Sequence, residues 1–326
     1  MAQILNGNHI SAEIRHEMKV MLSARKSAWT PYNHNKPKPP SVPPTLAVVL
    51  CSDDPASKVY VKKKIEACAE VGINSFVLRP FENGIQNWSD PREHLIRTID
   101  YLNLDPNVHG ILVQLPLPKE LNITNFEIFD RIDPLKDVDV FNPVNTGLLL
   151  QGRPRFIPCT PHGIQELLTR SGVEIEGKKV VIINRSDVVG KPLKALLIQD
   201  KEEANATVTI CHDRTPPQRL QDVCQSADII VVAVGKPDFI TPNMVNTKTV
   251  LVDVGINRVD GKIVGDVRRD VYDIVAAYSP VPGGVGPMTV TMLLHNTIEA
   301  QKLQYKAPPL PPPLDTVNTI YGGVLR

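Results

Sequence analysis

Seven short apolar runs, several rich in β-branched residues, recur along the chain with helical patterns between them. That alternation limits the available folds more than any other feature. "TLAVVL" (45–50), "SFVLRP" (75–80) and "GILVQLPLP" (110–118) read as strands, with helical "HLIRTIDYLN" before the third. The pattern restarts with "KKVVIINRS" (178–186) and helical "KPLKALLIQD", then "ATVTIC" (206–211), "ADIIVVAVG" (227–235) and "TVLVDVG" (249–255). Strand, helix, strand predicts parallel pairing, because parallel neighbours need a crossover long enough to hold a helix. Continuous apolar runs predict sheets covered on both faces. At 326 residues the chain accommodates two such units, the second a Rossmann-like parallel sheet.

The last good helical segment is "MTVTMLLHNTIEAQKLQ" (288–304). Two stretches stand apart, a proline-rich insertion at 26–44 and a tail at 305–326 that begins "APPLPPP" at 307. They read as a loop and a flexible tail; docking of their polyproline segments on an SH3-like partner is the alternative.

Apolar residues are 42% and charged ones 22%, enough for a real core in a soluble protein. A formal net charge of +1 and no basic patch interleaved with aromatics argue against nucleic acid. No apolar stretch approaches the ~20 residues of a membrane helix. "MAQILNGNHISAEIRHEMK" has neither a signal-peptide core nor a transit-peptide pattern, so a cytoplasmic location is expected. Cys51, Cys68, Cys159, Cys211 and Cys224 are scattered, with no CxxC pair, and read as small core residues in a reducing compartment. The histidines lack metal-ligand spacing, and no metal is expected.

"YVKKKIEACAEVGI" (60–73) contains three consecutive lysines. At ~100° per residue, Val61, Ile65, Cys68 and Val71 share one side, with Tyr60 and Ala67 beside them. Lys62, Lys63, Glu66 and Glu70 fall opposite, where Lys62 and Glu66 can pair. Lys64 falls on the apolar side, one turn after Tyr60. It either snorkels to the surface or is desolvated, and desolvation moves a lysine towards a pKa useful for proton transfer.

"NRSDVVGKP" (184–192) joins a strand to a helix without the glycine fingerprint of dinucleotide sites. It is either an ordinary turn or one whose N–H groups receive a pyrophosphate, with Gly190 allowing close approach. Asp213, in "CHDRT" after the next strand, lies where an acceptor for the adenosine ribose is expected, which favours NAD. Arg185 and Ser186 are suited to a phosphate, which favours NADP.

In order along the chain, "SKVYVKKK", "GILVQLPLP", "KDVDVFNPVNTG", "PCTPHGI", "INRSDVVGKP", "GDV" (265–267) and "PVPGGVGPMT" (280–289) resemble the bifunctional methylenetetrahydrofolate dehydrogenase/methenyltetrahydrofolate cyclohydrolase family. The resemblance covers about residues 3 to 304. It implies oxidation of 5,10-methylenetetrahydrofolate with NAD(P), then hydrolysis of the methenyl form to 10-formyltetrahydrofolate, in an active-site cleft between two α/β domains. It also implies a folate-binding catalytic domain at 1–158, joined by helix 288–304, an NAD(P)-binding domain at 159–287, and a homodimer.

By the same resemblance Lys64 is catalytic, Gln114 positions it, Asp139 binds the pterin and Tyr60 packs on the folate. Asp137 reads as structural, and Ser57, first residue of the S-x-x-Y-x-x-x-K motif, reads as a helix N-cap. Pro282, Gly283 and Gly284 border the substrate in a loop whose glycines, with Gly286, permit positive φ. Asn184, Arg185, Ser186, Gly190, His212, Asp213, Gly235 and Ile256 are the implied cofactor contacts.

Three positions depart from the family pattern. Val140 stands where glycine is usual after D-V-D, Asn184 replaces a glycine before R-S, and Asp213 replaces a frequent serine. The last two lean towards NAD, against a family prior for NADP. Retention of Lys64, Gln114 and Asp139 implies that both activities persist, and argues against a plain dehydrogenase for another substrate and against a non-catalytic scaffold.

Overall fold

The computed structural model describes residues 2–27 and 42–306. Residues 28–41 of the 26–44 insertion and 307–326 of the 305–326 tail lie outside the described residues, and with them most of the candidate SH3-like docking segments.

The chain opens with a short strand β1 (Gln3–Ile4) and helix α1 (Gly7–Ser27). A first unit follows: β2 (Thr45–Val49), α2 (Pro55–Val71), β3 (Asn74–Leu78), α3 (Pro91–Leu104) and β4 (Gly110–Val113). Helices α4 (Asn125–Arg131), α5 (Pro143–Leu150) and α6 (Cys159–Arg170) lead to the second unit. This comprises β5 (Lys179–Ile183), α7 (Gly190–Leu197), β6 (Thr207–Cys211), α8 (Pro217–Gln225), β7 (Ile229–Val232) and β8 (Val250–Asp253). A hairpin β9 (Asn257–Val259) and β10 (Lys262–Val264), a short strand β11 (Ala277–Tyr278) and helix α9 (Val285–Lys306) complete the described chain.

Both sheets are parallel, as the alternation predicts. The first has the order β3-β2-β4 and the second β1-β11-β8-β7-β5-β6. Leu46–Val49 in β2 and all of β4 and β7 are buried, which matches strands covered on both faces. The edge strands β3 and β6 differ: each alternates towards solvent, so "SFVLRP" and "ATVTIC" are only half-covered. The pairing of β1 with β11 was not foreseen, because two residues at the chain start carry no periodicity; the chain begins in the second sheet and crosses to the first.

In each sheet the strand order reverses once. β3 and β4 flank β2, and β6 and β7 flank β5. Ligand crevices in open α/β sheets form beyond the carboxyl ends of strands at such reversals. Gln114 follows β4 directly, and Asn184 follows β5 directly.

Helix α9 returns across the first unit, packing on α6, α1 and α2 and over β2 and β4. Met288, Met292, Leu293, Leu294 and Ile298 are buried, and each such side chain stabilises the packed state by about 1.5–3 kcal/mol. Asn296 Nδ2 donates to the carbonyls of Val138 (2.9 Å) and Ile157 (2.8 Å), satisfying one buried and one part-buried acceptor. The five cysteines are free and buried. Among the described residues no helix is long and apolar enough to cross a membrane, and no cluster of three or more His, Cys, Asp or Glu is placed to hold a metal.

Candidate active site

Helix α2 presents Lys64. Its N-cap is Asp54, whose carboxylate accepts from the N–H (2.8 Å) and the hydroxyl (3.0 Å) of Ser57. The cap reading of Ser57 is therefore corrected: Pro55 supplies the fixed φ of the first turn, the helix begins two residues before Ser57, and Ser57 is a buried donor to the cap. Val61, Ala67, Cys68 and Val71 are buried as the projection predicts. Lys62 pairs with Glu66 at 3.8 Å on the exposed face. Gly72, in the left-handed region, donates to Cys68 O and stops the helix.

Lys64 is half-buried, and its Nζ donates to Gln114 Oε1 at 2.9 Å. Gln114 Nε2 donates to Leu115 O at 2.8 Å, and its backbone N–H to Val49 O at 2.9 Å. The amide is thus held at the end of β4 with its oxygen towards the amine. Desolvation lowers the Lys64 pKa from its ordinary value, and the charge of nearby Asp139 opposes that shift. Burial raises Asp139, against the pull of Lys64 and a hydrogen bond from Cys159.

The turn carrying Asp139 is built by Asp137. This buried carboxylate accepts from the N–H groups of Val140 (3.0 Å), Phe141 (3.2 Å) and Asn142 (2.9 Å), and from Asn145 Nδ2 (2.9 Å). Val140 closes the turn at φ +69°. A β-branched side chain is strained there, which explains why glycine is the usual residue.

A cavity of about 450 Å³ opens between the sheets. Tyr60 and Lys63 of α2 form one wall; Asp253 to Ile256 and Pro280 to Pro287 form the other. Lys64, Gln114 and Asp139 are not among the residues that line it; of the four residues expected to act on the folate, Tyr60 alone does. In the glycine loop only Gly283 of the three has positive φ, +106°. Gly284 serves close packing instead, since a Cβ there would lie 2.6 Å from Pro280 O, and Gly286 falls in the first turn of α9, which starts earlier than expected.

The eight candidate cofactor residues all follow the carboxyl ends of the second sheet. Asn184, Arg185, Ser186 and Gly190 come after β5, His212 and Asp213 after β6, Gly235 after β7 and Ile256 after β8. Asn184 organises the first turn: its Oδ1 accepts from Ser186 N (2.8 Å), Ser186 Oγ (2.7 Å) and Gly190 N (3.0 Å), while its Nδ2 donates to Ala233 O (2.6 Å) across the reversal. Two of the N–H groups expected to receive a phosphate are therefore engaged within the turn. Arg185 Nη2 pairs with Asp213 Oδ1 at 2.5 Å. A Cβ on Gly190 would lie 2.1 Å from Asn184 O, so only glycine lets α7 start this close to the turn. An open crevice with a carboxylate at the end of the second strand, an exposed guanidinium and a half-buried hydroxyl fits a dinucleotide.

Sequence reasoning missed Cys159 and Asn296. The Cys159 thiol lies 3.4 Å from Val138 O and within reach of Asp139, and burial pushes it well above its ordinary pKa. Its only signal was its place in "PCTPHGI". The "GDV" motif proves to be scaffolding: Asp266 accepts from the N–H groups of Val234, Gly235 and Lys236, and fixes the β7 end of the crevice.

A family model for the tetrahydrofolate dehydrogenase/cyclohydrolase catalytic domain matches residues 5–139, and one for the NAD(P)-binding domain of the same family matches 158–305. The chain belongs to this family. Its bifunctional relative in Rhodopirellula baltica is 49% identical over 310 residues, covering 92% of this chain and 97% of that one. The bifunctional protein of Acetivibrio thermocellus is 47% identical, covering 94% and 99%. Among solved structures, the bifunctional methylenetetrahydrofolate dehydrogenase/cyclohydrolase of Campylobacter jejuni superposes with a TM-score of 0.81 at 40% identity, covering 93% of this chain and 99% of that chain. The Trypanosoma brucei enzyme, crystallised with NADP and an inhibitor, gives 0.80 at 34% identity, covering 94% and 99%. The chain is a bifunctional enzyme of folate one-carbon metabolism: an NAD(P)-dependent methylenetetrahydrofolate dehydrogenase and a methenyltetrahydrofolate cyclohydrolase.

Proposed function

We propose that Lys64, Gln114, Asp139 and Tyr60 carry both activities, on the strength of one observation: a half-buried lysine whose amine is held by a fixed amide at a strand-order reversal. Burial favours the neutral amine, which takes a proton from water as that water attacks the methenyl carbon. Gln114 aims the amine without supplying a counter-charge, so the neutral form stays accessible. Asp139 accepts paired hydrogen bonds from the amino-pyrimidine edge of the folate, and Tyr60 offers its ring to the flat pterin. Pro282, Gly283 and Gly284 form the facing wall of the cavity.

NAD(P), when bound, supplies the hydride acceptor for the dehydrogenase step. Asn184, Arg185, Ser186, Gly190, His212, Asp213, Gly235 and Ile256 would hold it. Arg185, Ser186 and the NADP-bound Trypanosoma relative lean to NADP, whereas Asn184 and Asp213 lean to NAD. The proposed domain ranges are 1–158 with helix 288–304 for folate and 159–287 for the cofactor. A cytoplasmic homodimer is the proposed working form.

An absorbance time course with 5,10-methylenetetrahydrofolate, run separately with NAD and NADP, tests the reading. Reduced nicotinamide with little methenyl accumulation, followed by formyl product, is expected. Methenyl rising to the level of uncatalysed hydrolysis would remove Lys64 from the second step.

A further inference from the structure

We infer that Asn184 and Asp213 together set the cofactor choice in favour of NAD, each by engaging one of the two groups suited to a 2′-phosphate. The inference rests on the assignment of the crevice between β5 and β7 to NAD(P).

Recognition of a 2′-phosphate requires donors, and the turn after β5 offers two side chains, the Ser186 hydroxyl and the Arg185 guanidinium. Neither is free. The single hydroxyl proton of Ser186 goes to Asn184 Oδ1 at 2.7 Å, and its oxygen accepts from Val189 N at 3.1 Å. The same Oδ1 holds Ser186 N and Gly190 N, while Nδ2 is tied to Ala233 O. Turning the Asn184 amide away breaks all four of its bonds at once, so release of Ser186 is coupled to loosening of the whole turn. A glycine at 184 has no side chain to do this.

Arg185 is engaged differently. Its Nη2 lies 2.5 Å from Asp213 Oδ1, and Arg214 Nε approaches Asp213 Oδ2 at 3.3 Å. Both Arg185 and Asp213 are more than half exposed, so the pair alone holds the guanidinium weakly. The larger effect of Asp213 is its own charge: it repels a phosphate dianion at the end of the second strand, and accepts from a free ribose hydroxyl. The two devices act on different donors, so relieving one leaves the other in force. Asp213→Ser returns Arg185 but leaves Ser186 engaged; only the double replacement with Asn184→Gly returns both.

Isothermal calorimetry reads this without turnover. The probes are NAD, NADP and adenosine 2′,5′-bisphosphate, on the wild type, D213S, N184G and N184G/D213S. The wild type is expected to bind NAD more tightly than NADP by on the order of tenfold. D213S, a change at an exposed position that leaves the fold intact, narrows the gap about threefold. The double variant closes or inverts it, by about the product of the single effects, and binds the bisphosphate measurably. Wild-type binding of NADP as tight as that of NAD overturns the inference alone. So does an unchanged NAD/NADP ratio in D213S. Binding of neither dinucleotide to protein that is folded by circular dichroism overturns the crevice assignment as well.

Discussion

Lys64 Nζ and Gln114 Oε1 stand 2.9 Å apart, joining α2 to the end of β4 across the strand-order reversal of the first sheet. The partner of the amine is a neutral dipole pinned by its own Nε2, not a carboxylate. Asp139 acts on the lysine through its charge, opposing the desolvation that lowers its pKa.

Lys64→Met keeps the apolar stem and removes the amine. Cyclohydrolase activity should fall by about 10²–10⁴-fold, the usual span for a positioned acid or base. The melting midpoint should hold or rise, because a desolvated amine gives way to an apolar side chain. Direct assay of methenyltetrahydrofolate hydrolysis on the folded variant checks this, and unchanged formyl production would refute the role.

Gln114→Glu places a carboxylate against the same amine. A negative neighbour favours the ammonium form, so the folded-state pKa of Lys64 rises. The alkaline rise of the hydrolysis pH profile should move to higher pH, with a lower rate near neutrality. A profile that keeps its midpoint would show that Lys64 is not the group being titrated.

Val140→Gly sets two effects against each other. The change removes a buried side chain but relieves a β-branched residue at φ +69°. Left-handed strain is worth roughly 1–2 kcal/mol. Val138→Gly, two residues earlier and equally buried, loses a side chain without that relief. Urea unfolding should therefore show Val140→Gly less destabilising than Val138→Gly by about 1–2 kcal/mol; equal losses would mean the turn carries no strain.

His109 makes folding sensitive to acid. Its Nδ1 accepts from Thr45 N at 3.0 Å, which only the neutral ring can do, and burial lowers its pKa from 6.5 to about 4. Between those values the unfolded chain binds the extra proton, so stability is intact above pH 6.5 and declines as pH falls towards 4. At pH 5 the deficit reaches about 2 kcal/mol. His109→Asn should flatten the dependence of unfolding free energy on pH between 7 and 5, whatever its effect at pH 7.

Much of this was legible because local pattern and tertiary role coincide. The buried face of α2 and the inward place of Lys64 follow from helical spacing, and the inner strands from unbroken apolar runs. What stayed hidden depends on contacts far apart in sequence or on backbone angles. Asn296 is unremarkable until α9 lays it beside the carbonyls of Val138 and Ile157. Asn184 reads as a substitution in a turn, and only its four bonds reveal a brace between β5 and β7. Ser57 and Asp54 are both good caps by type, and the choice between them was made by Pro55. β1 is too short to have a pattern at all.

The pairing of Gln3–Ile4 with β11 has a mechanical consequence. The chain passes from one sheet to the other three times: after β1, between β4 and β5, and after β11 into α9. Two lobes joined by one strap can swing apart about it; lobes stitched at three places are restricted to small rocking. Cutting the chain after Ile4 would remove one stitch along with an edge of the larger sheet, leaving Lys64, Gln114 and Asp139 untouched while loosening the frame that keeps them in register with the crevice between β5 and β7.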